Sequence, residues 1–69
     1  MVSGRVFIVD TDDARHELVR GPIRDQLKAW GVPAYWSALN RGWFVRVERM
    51  PDLRARLEVA GYDVRRAAR

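Results

Sequence analysis

Pro22-Ile23-Arg24-Asp25-Gln26-Leu27-Lys28-Ala29-Trp30-Gly31 is followed, further along the chain, by Pro51-Asp52-Leu53-Arg54-Ala55-Arg56-Leu57-Glu58-Val59-Ala60-Gly61. The two stretches carry one pattern, because Ile23, Leu27 and Gly31 recur 30 residues later as Leu53, Leu57 and Gly61. Each opens on a proline, whose missing N–H would be unpaired in the first helical turn anyway. Each closes on a glycine, which takes the left-handed conformation that ends a helix. Ile23, Leu27 and Trp30 share one helix face, as do Leu53, Leu57 and Ala60. The spacing predicts helices over 22–30 and 51–60.

Apolar runs flank both helices. Residues 5–9 read as a strand, since Val6, Phe7, Ile8 and Val9 are β-branched or aromatic. Residues 34–39 and 43–47 surround Asn40-Arg41-Gly42, a hairpin signal with a glycine for positive φ. Residues 62–66 make a last strand. Residues 10–21 read as a connection, with a helical turn through Ala14, Leu18 and Val19 capped by Thr11 or Asp12 and stopped at Gly21-Pro22. The reading is an α+β, ferredoxin-like βαββαβ two-layer sandwich. It has a four-stranded antiparallel sheet with two helices on one face, in a single domain over 1–69.

Composition narrows the function classes. A chain of 69 residues without cysteine has neither disulfides nor thiolate metal sites to reinforce a small core, and one histidine removes most zinc geometries. The apolar run 6–9 is far below the ~20 residues of a membrane-spanning helix. Asp10, Asp12 and Asp13 follow it directly, unlike a secretory signal. A cytoplasmic location is the expectation. The net charge of +4, with twelve of thirteen basic residues arginine, favours contact with a polyanion.

Strand alternation sorts the faces. With the β-branched residues against the helices, the open face carries Arg5, Phe7, Val9, Phe44, Arg46 and Arg65. An even-length hairpin loop adds Tyr35 there and buries Trp36, whereas a bulged three-residue loop reverses that strand. The expected topology makes the strands of Phe7 and Phe44 central neighbours, with the two rings side by side among arginines.

Val6-Phe7-Ile8-Val9-Asp10 resembles the first-strand signature of RNA-recognition motifs, and Arg41-Gly42 with Phe44-Val45-Arg46-Val47 is similar to their third-strand signature. That resemblance implies aromatics stacking on bases of single-stranded RNA. Val9-Asp10, Asp13, Arg15, Leu27, Gly31 and Tyr35-Trp36-Ser37 resemble the small subunit of the CRISPR adaptation complex, which implies a metal ligand at Asp10. The run 27–35, with 43–47 and 61–64, resembles sporulation-related repeats, which implies binding of bare peptidoglycan glycan strands. The shared element is a fold, and function does not follow from fold alone.

Each candidate has a plain structural reading beside the functional one. Phe7 and Phe44 either stack on nucleobases or seal a protein contact. Asp10, Thr11, Asp12 and Asp13 either hold magnesium or cap a turn, with His16 on the surface of that turn. Arg65, Arg66 and Arg69, extended by Arg54 and Arg56, either grip phosphate or only solubilise. Trp30 reads as core. The expected function is a non-enzymatic nucleic-acid-binding module with no cofactor, acting through Arg5, Phe7, Phe44, Arg46 and Arg65. The alternative is a protein-interaction or homodimerisation module using the same face, such as an accessory or mobile-element protein acting on a host protein.

Overall fold

The computed structural model describes residues 4–67. In chain order the elements are β1 (Arg5–Val9), β2 (His16–Arg20), α1 (Arg24–Ala29), β3 (Ala34–Ser37) and β4 (Gly42–Arg46). A 3-10 turn (Val47–Arg49), α2 (Met50–Val59) and β5 (Asp63–Ala67) follow. One sheet takes all five strands in the order β3-β4-β2-β1-β5.

The expected four-stranded antiparallel sheet is therefore corrected. Residues 16–20 form a strand rather than a helical turn, and this strand sits in the middle of the sheet between β1 and β4. Adding one strand reverses the direction of everything after it. As a result β5 runs parallel to β1, while the β1–β2, β2–β4 and β3–β4 pairs are antiparallel.

The extra strand also explains the internal repeat. The repeated unit is β2-α1-β3 followed by β4-α2-β5, and each strand-to-helix connection has three residues, 21–23 and 47–49. The long first connection expected from the sequence disappears. The two crossovers move in opposite directions across the sheet, starting from strands of opposite direction. Right-handed connections then place both helices on the same face.

Val6, Ile8, Val19 and Val45 meet Ile23, Leu27, Met50, Leu53 and Leu57 in one buried cluster, closed at one end by Tyr62. Trp30 packs against this cluster while half-buried. Gly31 and Gly61 end the helices at φ 65° and 98°, as the spacing predicts. The β3–β4 turn differs. There the positive φ, 52°, falls on Arg41, and Gly42 lies within β4. A Cβ on Gly42 would stand 2.8 Å from Leu18 Cδ1 and 3.0 Å from the Val19 carbonyl oxygen. Gly42 is needed for close packing on β2, not for turning the chain.

Candidate nucleic-acid interface

The registers assign each side chain to a face. Val6 and Ile8 are core, so Arg5, Phe7 and Val9 lie opposite. Phe7 pairs with Arg20 on β2 and with Arg65 on β5. Leu18 pairs with Val9 and with Phe44, and Phe44 pairs with Tyr35. His16 pairs with Arg46. All five expected residues, Arg5, Phe7, Phe44, Arg46 and Arg65, occupy the face the helices leave bare.

They do not form the single patch expected. β2 separates the strands of Phe7 and Phe44, and the two residues stand in different rows. Two strand spacings and a two-residue offset put them about 12 Å apart along the sheet. The adjacency read from the sequence is overturned by the inserted strand. The likeness to paired RNA-recognition signatures loses its geometric basis, since in this chain β1 and β4 are not neighbours.

Two sub-sites replace the one patch. At the first, His16, Tyr35 and Phe44 cluster, with ring centroids 5.9 Å apart for His16–Tyr35 and 6.5 Å for His16–Phe44. Pro33, Ala34 and Arg46 complete the lining of a groove of about 350 Å³. Tyr35 is 64% exposed, a flat aromatic surface open to solvent. Its position follows from the four-residue loop 38–41, the even-length case anticipated. That loop is braced by Ser37 Oγ, which accepts from Asn40 N at 3.3 Å and Nδ2 at 3.1 Å, and by Arg20 Nε donating to the Asn40 carbonyl at 3.0 Å. Trp36 faces the helix side, against Trp43 at 5.2 Å, but on this edge strand it stays 54% exposed rather than buried.

At the second sub-site, half-buried Phe7 lies between Arg20 and Arg65. Arg65 Nε donates to Asp63 at 3.0 Å, and Arg46 Nε to Glu48 at 3.3 Å, both in exposed pairs. Such pairs hold by about 0–1 kcal/mol, so a phosphate can take either guanidinium at little cost.

His16 is the residue the sequence reading misplaced. It was expected on a surface turn, yet it sits in β2 with its side chain 17% exposed and Nδ1 2.8 Å from Asp13 Oδ2. The other Asp13 oxygen accepts the Arg15 backbone N–H at 2.8 Å, and Thr11 Oγ1 accepts that of Asp13 at 3.1 Å. The Arg15 N–H first, and His16 second, hold the Asp13 carboxyl below its ordinary range. Asp13 thus braces the β1–β2 turn rather than a helix.

Asp10 pairs with Arg66, which also donates to Glu17 at 3.0 Å. The bond from Glu17 raises the Arg66 pKa above its ordinary value. Arg66 is therefore engaged on the helix side and does not extend Arg65 as a tail, and Arg69 lies outside the described residues. Arg54 and Arg56 pair with Glu58 and Asp52 along α2. Among the described residues, no three His, Cys, Asp or Glu side chains group closely enough to hold a metal ion, and no helix is long and apolar enough to cross a membrane. No protein-family model, curated protein or solved structure matches the chain.

Proposed function

We propose that the chain is a small, cytoplasmic, non-enzymatic module that binds single-stranded nucleic acid on its open sheet face. The observation that carries this reading is the exposed Tyr35 beside Phe44, His16 and Arg46, on a helix-free face that also holds Phe7 between arginines. Bases stack on Tyr35 and Phe44, and Arg5, Arg20, Arg46 and Arg65 take the phosphates between and beyond them. Stacked bases are ~3.4 Å apart, so Phe7 and Phe44 engage bases that are not neighbours.

A second reading draws on the row Tyr35, Phe44, Leu18, Val9 and Ala67, which is apolar from one edge of the sheet to the other. Leu18 and Val9 are buried and Tyr35 is exposed, so a protein contact on this row would rest on its Tyr35 end. One titration separates the two. Four arginine–phosphate contacts to a single strand give a slope near −3 in log K against log salt, about −0.7 per contact. A labelled oligonucleotide that binds at low salt and is released along that slope supports the first reading. No binding at low salt removes it.

A further inference from the structure

The two edges of the sheet differ in kind. β5 carries Asp63, Arg65 and Arg66, charges of the sort that stop an edge from pairing with another chain. β3 is Ala34-Tyr35-Trp36-Ser37, with no charge, and its Tyr35 and Trp36 are 64% and 54% exposed. Among the described residues no strand lies beside its outward backbone groups, because β3 ends the sheet order. An occupant that satisfies a row of alternating N–H and C=O groups is itself an extended strand.

We infer that β3 pairs antiparallel with β3 of a second copy, extending the sheet across a two-fold axis. The residues around Tyr35 argue for a copy of this chain. In a continuous sheet, opposed residues share a face, so the axis must lie midway between the two copies of one residue, which then oppose each other. Placing it at Tyr35 sets Tyr35 against the partner's Tyr35, and Ala34 against the partner's Trp36. The large ring then lies over the small side chain on both sides of the axis, and Tyr35 meets Tyr35 on the open face. Placing it at Trp36 would oppose two indoles and leave Ala34 uncovered. The uncharged edge adds no like-charge repulsion to the pairing of two copies that each carry +4.

This arrangement makes the apolar row continuous through the seam, as Val9, Leu18, Phe44 and Tyr35 followed by the same residues in reverse. It also brings the two His16–Tyr35–Phe44 clusters together at the centre of the open face. Their use as one longer track for a strand rests on the proposed function. The pairing itself does not, and it is tested without nucleic acid.

The chain has no cysteine, so a single introduced thiol reports the register. Opposed residues in an antiparallel pair have Cα atoms ~4.5–5.5 Å apart, within disulfide reach. The expected results are sedimentation at twice 8.0 kDa, dissociating on dilution, and rapid oxidation of Tyr35→Cys to a covalent dimer. Ala34→Cys, whose two copies stand about 8 Å apart diagonally, oxidises far more slowly. Sedimentation at 8.0 kDa throughout, or cross-linking of Ala34→Cys as fast as of Tyr35→Cys, would overturn the proposal.

Discussion

Gly42 shows what a single residue contributes here. In sequence it looks like the positive-φ glycine of a hairpin, yet the strained position is Arg41. Adding one methyl at 42 drives a carbon into Leu18 and the Val19 carbonyl. Gly42→Ala is expected to lower stability by about 1–3 kcal/mol in urea unfolding, the usual consequence of overfilling a packed site. Arg41→Gly is expected to raise it by up to ~1 kcal/mol, since a left-handed arginine carries a steric cost that glycine avoids. An unchanged midpoint for Gly42→Ala would show that β4 can shift away from β2. At the binding face, Phe44→Ala is expected to weaken oligonucleotide binding by about 1–3 kcal/mol, roughly 5- to 150-fold in Kd. Equal affinity in a fluorescence titration would exclude stacking at that ring. The face of Phe44 was legible from alternation alone. The membership of His16 was not, because a histidine beside Asp13 reads as part of the turn until its strand is known.

The element that escaped the sequence reading is β2. His16-Glu17-Leu18-Val19-Arg20 has two consecutive apolar residues, a pattern that fits a turn of helix as well as a short strand. What decides for the strand is burial on both faces, with Val19 against the core and Leu18 between Phe44 and Val9 on the opposite face. That is a property of the assembled sheet and leaves little trace in five residues. The helices, by contrast, were legible to within about two residues, because the closing glycines and, in α2, the first-turn proline act locally, whereas Pro22 lies two residues before α1. The β1–β2 turn also titrates. Asp13 has a folded-state pKa below its unfolded value, so its contribution is fully present above the ordinary carboxyl range and is lost as the pH falls through the lowered value. Asp13→Asn has no such charge to lose. Chemical unfolding at a series of pH values is expected to show wild type losing stability toward acid more steeply than Asp13→Asn. Parallel curves would mean that the carboxylate does not brace the turn.

Across the whole molecule, one inserted strand changes the meaning of the surface without changing which residues lie on it. The sheet is wider and mixed, its aromatic groups are divided between two sub-sites, and the arginines are spread along the face rather than gathered around one pair of rings. A flexible polyanion tracking over such a face would contact it from β3 to β5. The direct measurement is an amide chemical-shift titration of the isotope-labelled protein with a short single-stranded oligonucleotide at low salt. Shifts are expected at Arg5, Phe7, His16, Arg20, Tyr35, Phe44, Arg46 and Arg65, with 24–29 and 50–59 largely unmoved. Shifts centred on those two helices, or none at saturating oligonucleotide, would contradict the proposed function.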